Sequence, residues 1–183
     1  MARKVDQSMR MPFSHAALLS FSGSLLLLAA GNAQAPPPPS DASAAIDLYS
    51  PQQLQQRAIA LRAQAEASRT GAASETLEKY PQHFTMLAYR NQSGGAEVHA
   101  RFADVFLIES GSATLETGGT VVDPKVDDAT GETRGAALAN SRAQQLHAGD
   151  IVHIPAGVAH RMRLEPGATV LYFVVKVQES RTP

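Results

Sequence analysis

The chain has 183 residues, with 16 Lys and Arg against 17 Asp and Glu, and hydrophobic residues make up 44% of it. This length and composition fit one globular domain with extensions, and the charge balance argues against nucleic-acid binding, which needs a basic excess. Cysteine is absent, which excludes disulfide frameworks, thiolate metal sites and cysteine nucleophiles.

Residues 1–35 are predicted to be a secretory signal peptide. Three basic residues precede position 11, an apolar stretch spans 16–30, and small residues follow in GNAQA. This order is typical of signal peptides, with cleavage after Ala35 or after Ala33. Because the apolar stretch is shorter than the about 20 residues of a comfortable span, we expect no stable membrane span after cleavage and a periplasmic or secreted protein. An uncleaved N-terminal anchor is the alternative.

The next two segments are predicted to be a Pro/Ala/Ser-rich linker, residues 36–48, and a helical N-terminal extension, residues 49–80. Four consecutive prolines favour an extended backbone in the linker. In the extension, Ser50 is a suitable N-cap and Gln53 completes a capping box. A helix is therefore predicted over 51–68, with one narrow apolar face formed by Leu54, Ala58, Leu61 and Ala65.

From His83 onward, short β-rich runs alternate with turns that contain glycine. Several strands at such spacing predict an all-β sandwich or barrel over 83–178. No second long helical pattern interrupts these runs, which excludes a doubly wound α/β fold. The charged, turn-rich segment 123–135 is predicted to be a long loop, in which Glu132 and Arg134 form either a lid or a surface ion pair.

Two motifs carry the functional interpretation. Residues 149–160, GDIVHIPAGVAH, follow the pattern G-x5-P-x-G-x2-H, and residues 97–111 follow H-x-H-x4-E-x6-G in part. These patterns resemble the second and the first motif of the cupin superfamily, and the resemblance covers residues 83–178. It implies a single-domain, all-β cupin-type double-stranded β-helix, or jelly-roll barrel, preceded in this chain by an N-terminal helix.

The resemblance also implies a metal centre, since the family's centre uses two His and a Glu from the first motif and one His from the second. Position by position, these ligands fall on Glu97, His99, Asp104 and His160, so that two imidazoles are accompanied by two carboxylates. Such a set suits a divalent transition metal such as Mn, Fe, Ni, Zn or Cu.

Strand alternation independently supports the convergence of these side chains. Glu97 and His99 lie two residues apart, so they share one face of a strand. Apolar residues that share the faces of Asp104 and His160 would complete a pocket for a small ligand; these are Phe106, Met162 and Leu164.

Each candidate also has a structural interpretation. His99 could be a core histidine hydrogen-bonded to Asp104, and Glu97 could be a solvated acid at the end of a strand. Arg101 could hold a substrate carboxylate in a bidentate contact or be a solvated turn residue. His153 lies on an otherwise apolar strand and is predicted to be a core histidine.

Two functional hypotheses follow from these residues. In the first, an exported cupin binds a divalent metal and a small oxygen-rich or acidic molecule, as a metal-dependent oxygenase, isomerase or lyase. In the second, a metal-free cupin binds a small molecule or has a structural role, and the four polar residues form a hydrogen-bonded cluster. The substitution of Glu97 for a family histidine favours the second hypothesis. The resemblance further implies a homodimer, because cupin barrels pair through edge strands.

Overall fold

The computed structural model describes residues 46–179, so the predicted signal peptide and nearly all of the predicted linker lie outside the described residues. The described part contains one α-helix and twelve β-strands: α1 Pro51–Ala67, β1 Ala72–Lys79, β2 His83–Arg90, β3 Ala96–Val98, β4 Phe102–Thr117, β5 Thr120–Val122, β6 Lys125–Asp127, β7 Glu132–Gly135, β8 Ala137–Ala139, β9 Arg142–His147, β10 Ile151–Ile154, β11 His160–Arg163 and β12 Val170–Gln178. Within these residues, no helix combines the length and the apolar character that a bilayer crossing requires.

The helix predicted from its capping residues is present. The Ser50 hydroxyl accepts a hydrogen bond from the Gln53 backbone amide, and the Gln53 side chain accepts one from the Ser50 amide. This reciprocal box satisfies two of the amides that a helix start leaves without a partner. The buried Leu61 and Ala65 attach α1 to strand β2, where they pack against Leu87 and Tyr89.

The second half of the predicted helical extension is a strand instead. Residues 72–79 form β1, which pairs antiparallel with β2. The segment AASETLEK contains mostly good helix formers, but Gly71, at φ +59°, ends the helical stretch and turns the chain back. The open edge of β2 then offers a full ladder of backbone hydrogen bonds, so tertiary pairing overrides local propensity.

Apart from β5 and β8, which pair only with each other, the remaining strands form two antiparallel sheets that share β4. The first half of β4 pairs with β12 and β10, and the second half pairs with β11 and β9. With β4 counted once in each sheet, the two faces are β2–β12–β4–β10 and β3–β11–β4–β9. This arrangement is the eight-strand jelly roll of cupins. The expected all-β cupin-type barrel with an N-terminal helix is thereby confirmed.

The segment 123–135, predicted to be a long loop, contains a β-hairpin. Strands β6 and β7 pair with each other, and β7 also pairs with β3, where Glu97 lies directly opposite Arg134. Lys125, Val126 and Asp127 are exposed, so β6 lacks the apolar alternation by which a strand is recognised in a sequence. The hairpin extends the second sheet beside the first motif.

Gly111 is the corner at which β4 passes from one sheet to the other. Its φ is +79°, and a Cβ at this position would lie 1.9 Å from the carbonyl oxygen of Thr169. Only glycine fits such a close backbone approach in the left-handed region. Because of this corner, one strand contains both Asp104, in the first sheet, and Thr117, in the second. Thr117 pairs with His160 in the β4–β11 ladder.

We expect Gly111→Ala to destabilise the protein more than Gly149→Ala. Both positions have a positive φ, but a Cβ at Gly149 meets nothing within 4 Å. Backbone strain alone should lower the free energy of unfolding by about 1–2 kcal/mol at Gly149. At Gly111 the clash with Thr169 adds to the strain, so the free energy of unfolding should fall by about 3 kcal/mol or more. Urea denaturation measures both, and equal losses would contradict the assigned role of the corner.

Candidate metal centre

Three side chains from three strands of the barrel converge at one point. His99 directly follows β3, Asp104 lies on β4 and His160 opens β11, and they retain 5%, 2% and 5% exposure. One ligand atom from each lies within 4.8 Å of the others. The structure therefore brings together three of the four ligands predicted from the sequence.

The orientation of the His99 ring is set by Glu132. The His99 Nδ1 lies 2.5 Å from Glu132 Oε2. Because a carboxylate only accepts hydrogen bonds at neutral pH, Nδ1 carries the proton and donates it. The lone pair of the neutral ring is then on Nε2, which lies 3.4 Å from Asp104 Oδ2.

The orientation of the His160 ring is set by the backbone. Its Nδ1 donates to the carbonyl oxygen of Val158 at 3.0 Å, and its Nε2 lies 3.5 Å from the same carboxylate oxygen, Asp104 Oδ2. The two imidazole centroids are 5.2 Å apart. Both rings therefore direct an Nε2 lone pair toward Asp104.

This donor set fits a divalent transition metal. Two imidazoles and one carboxylate form the ligand triad that leaves coordination positions open for small molecules. Histidine ligands of metals commonly donate their second ring N–H to a carboxylate or a backbone carbonyl, and Glu132 and Val158 supply these two acceptors here. When both rings are neutral, the converging acceptors repel one another, and a positive charge at their centre stabilises the arrangement.

Lys176, which the sequence analysis did not single out, supplies such a charge from β12. Its Nζ donates to Asp104 Oδ1 at 2.6 Å and to His99 Nε2 at 2.7 Å. Lys176 lies directly opposite Asp104 in the β12–β4 ladder. A signal for it existed in the sequence, because alternation from the buried residues Val170, Tyr172 and Val174 places Lys176 on the inward face.

Glu97, the fourth predicted ligand, lies at the edge of the cluster. Its Oε2 is 3.7 Å from His99 Nε2, but the same oxygen accepts a hydrogen bond from Arg134 at 2.8 Å. Arg90 approaches the other oxygen to 3.8 Å. Burial alone would raise the pKa of the Glu97 carboxyl, but Arg134, the two histidines and Arg90 outweigh it and hold this pKa below its ordinary value.

The charges within the cluster perturb one another strongly. Burial opposes ionisation of Asp104, yet the adjacent rings of His160 and His99 and the hydrogen-bonded ammonium of Lys176 hold its pKa well below its usual range. Burial likewise opposes the charged form of His99, but the carboxylates of Asp104 and Glu132 raise its pKa. Asp104 is therefore an anion throughout the neutral range and the electrostatic centre of the site.

A cavity of about 360 Å³ opens beside the three converging residues. Phe106 and Met162 form part of its apolar wall, as predicted, whereas Leu164 is buried in the core and does not line it. On the polar side, Arg90 donates from Nε to the Tyr172 hydroxyl oxygen at 3.2 Å. The cavity thus combines apolar surface with a small number of oriented charged groups, as ligand sites do.

The other predicted residues are placed differently. Arg101 is exposed and does not line the cavity. His153 is exposed rather than buried in the core, because its side chain points outward from β10, with Nε2 4.0 Å from Glu179. Glu132 and Arg134 do not form the predicted mutual ion pair, since each contacts a different residue of the predicted site, His99 and Glu97 respectively.

Several solved structures are similar to this chain, at low sequence identity. No family model matches the sequence, and no curated protein matches it either. Similar solved structures include KdgF from Halomonas sp., at 15% identity and a TM-score of 0.42 over 60% of this chain and 82% of that one. A cupin-2 domain from Rhodospirillum rubrum has 13% identity and a TM-score of 0.43, over 62% of this chain and 64% of that one. The Cnp3 cupin domain from Schizosaccharomyces pombe has 9% identity and a TM-score of 0.45, over 61% of this chain and 67% of that one. Similarities at these identities concern the fold alone.

We expect strong energetic coupling between Asp104 and Lys176 in the metal-free protein. Asp104→Asn leaves the ammonium without its anion and should lower the free energy of unfolding by about 2–4 kcal/mol, slightly less than for a fully buried pair. The double variant Asp104→Asn/Lys176→Met should lose less than the sum of the single losses, by about 1–3 kcal/mol.

Denaturant unfolding of the four proteins of this cycle measures the coupling, and the exposed pair Arg62 and Glu66 on α1 is the control. Since folding lowers the pKa of Asp104 from its ordinary 3.8, its contribution is present above that pH and is lost as the pH falls below it. The difference in the free energy of unfolding between wild type and Asp104→Asn should therefore decrease as the pH falls below 3.8. Coupling no larger than that of the control pair would contradict the prediction.

Proposed function

We propose that this chain is an exported cupin that binds one divalent transition metal through His99, Asp104 and His160, and a small oxygen-rich or acidic molecule in the adjoining cavity. The observation that carries the proposal is the convergence of the Nε2 atoms of His99 and His160 on Asp104 Oδ2, at 3.4 and 3.5 Å. The Nδ1 contacts to Glu132 and Val158 support it, because they fix both rings in the tautomer that ligation requires.

The charged residues around the cavity favour an anionic ligand. Three basic side chains, Arg90, Arg134 and Lys176, face two carboxylates, Glu97 and Asp104, among the residues that line it. A bound divalent cation would increase this positive excess. The hydrogen bond to Tyr172 fixes the direction of the Arg90 guanidinium, whose planar fork matches a carboxylate.

The size of the cavity favours a small molecule. A volume of about 360 Å³ is near the lower limit for ligand pockets, roughly 300–1,000 Å³. Phe106 and Met162 would contact the hydrocarbon part of the molecule, while the charged groups bind its oxygens.

The enzyme class that we propose is a metal-dependent oxygenase, isomerase or lyase. When bound, the metal supplies Lewis acidity, which polarises a substrate oxygen or activates water or dioxygen. The chain itself contributes the two oriented imidazoles, the Asp104 carboxylate and an apolar wall that excludes water from the reacting atoms. Glu97 lies close enough to this centre to act as a carboxylate ligand or a general base.

A second candidate is a metal-free binding or structural cupin. The observation that favours it is Lys176, whose ammonium already contacts Asp104 and His99 at 2.6 and 2.7 Å. In that case the cluster is a permanently satisfied hydrogen-bond network, and the cavity binds its ligand through Arg90 and Arg134 alone.

Metal content separates the two candidates. We expect untagged protein, purified without chelators, to contain close to one equivalent of a divalent transition metal. His160→Ala should reduce this content at least tenfold, because it removes one of three ligands. His153→Ala is the matched control, since it removes an exposed histidine outside the cavity. Elemental analysis measures all three proteins, and equal content in wild type and His160→Ala would remove the metal site from the proposal.

Export is the part of the proposal that rests on the sequence of residues 1–35. We expect the mature protein to begin after Ala33 or Ala35 and to be found in the periplasm or the medium. Intact mass of protein recovered from these fractions measures the cleavage site. A full-length chain retained in the cytoplasm would contradict export, without bearing on the metal site. The homodimer implied by the resemblance belongs to the same proposal.

A further inference from the structure

We propose that Lys176 is an internal cation that competes with the metal for His99 and Asp104, so that a metal can bind only by displacing the ammonium group. This inference rests on the proposed function and concerns the control of the same site. It assigns the protein two alternative states, one closed by Lys176 and one loaded with a metal.

The first argument is that the Lys176 ammonium and a metal ion would both bind the lone pair of His99 Nε2. The neutral imidazole of His99 has one lone pair, on Nε2, because Nδ1 donates to Glu132. The Lys176 ammonium already uses this lone pair at 2.7 Å. A nitrogen lone pair cannot accept a hydrogen bond and coordinate a metal at the same time, so the two occupants of His99 exclude each other.

The second argument is electrostatic. Lys176 Nζ also lies 2.6 Å from Asp104 Oδ1, so it neutralises the only carboxylate of the converging trio. A metal bonded to His99 Nε2 at about 2.1 Å would lie within about 5 Å of an ammonium that kept its position. Two positive charges at that distance in a largely buried site repel each other strongly.

The third argument is that Lys176 is able to leave. Its side chain retains 17% exposure, whereas those of His99 and Asp104 retain 6% and 3%. It also lines the cavity beside the trio. A lysine has a flexible four-carbon stem and a strongly hydrated head, so its ammonium can withdraw into the cavity while the three ligands remain in place.

The consequence is a site that is satisfied without metal but binds metal more weakly than its ligands alone would. In the metal-free state, the ammonium prevents Asp104 from being a buried and unpaired anion. Metal binding then has to replace two charge-assisted hydrogen bonds. One such bond corresponds to about a 10- to 100-fold change in affinity, so the replacement of both should reduce metal affinity by at least about 10-fold.

The test is a calorimetric titration with Zn²⁺ of untagged, chelator-stripped protein at one fixed pH. We expect Lys176→Met to bind Zn²⁺ at least about 10-fold more tightly than wild type. Lys79→Met is the matched control, because Lys79 is an exposed lysine at the end of β1 and does not line the cavity. Its affinity should equal that of wild type.

The outcomes distinguish this inference from the proposed function. If wild type and Lys176→Met take up one Zn²⁺ with equal affinity, or if the variant binds more weakly, the competition is refuted and the metal site stands. If no protein takes up Zn²⁺, the metal site is refuted and the competition with it.

Thermal unfolding provides a second measurement that does not depend on calorimetry. Without metal, Lys176→Met should melt below wild type, and excess Zn²⁺ should raise its melting temperature by more than it raises that of wild type. If the variant folds only when Zn²⁺ is present, the two cations are interchangeable, as proposed. If it fails to fold even then, Lys176→Gln replaces it, and a wild-type response to Zn²⁺ by that variant refutes the competition.

Discussion

The chemistry of this barrel depends on three acceptor atoms, from His99, Asp104 and His160, that lie close together in its interior. Two imidazole lone pairs and a carboxylate oxygen share a buried point, where each would be unfavourable without a cation. Glu132 and the Val158 carbonyl fix the orientation of the two rings. They accept the Nδ1 hydrogen bonds of His99 and His160, so Nε2 of each ring faces Asp104. A metal ion or the Lys176 ammonium can satisfy this point, and the two functional candidates differ in which one does so.

The fold produces this convergence through strand register. Asp104 lies opposite Lys176 in the β4–β12 ladder, and Glu97 lies opposite both His160 and Arg134 in the second sheet. Neighbouring strands are only about 5 Å apart, so each ladder brings its paired residues close together. The corner at Gly111 allows β4 to take part in both sheets, which joins the two halves of the site.

The same geometry explains why the site has an inner and an outer group of charges. Asp104 is buried among two histidines and a lysine, so it is the inner anion. Glu97 is closer to the cavity edge, and Arg134 and Arg90 balance its charge. A small anionic ligand would therefore meet two arginines on one side and the cation of the inner group on the other.

The sequence by itself determined the capped helix, the jelly-roll class and the candidacy of His99, Asp104 and His160, because turn residues, alternation and motif spacing are local properties of the chain. The tertiary structure decided that β1 is a strand, that β7 carries Glu132 and Arg134 to the site, and that Lys176 is the cation in the cluster. Lys176 is separated from Asp104 by 72 residues and from His99 by 77. Alternation shows that Lys176 faces inward, but only the register of β12 against β4 determines which residue it meets.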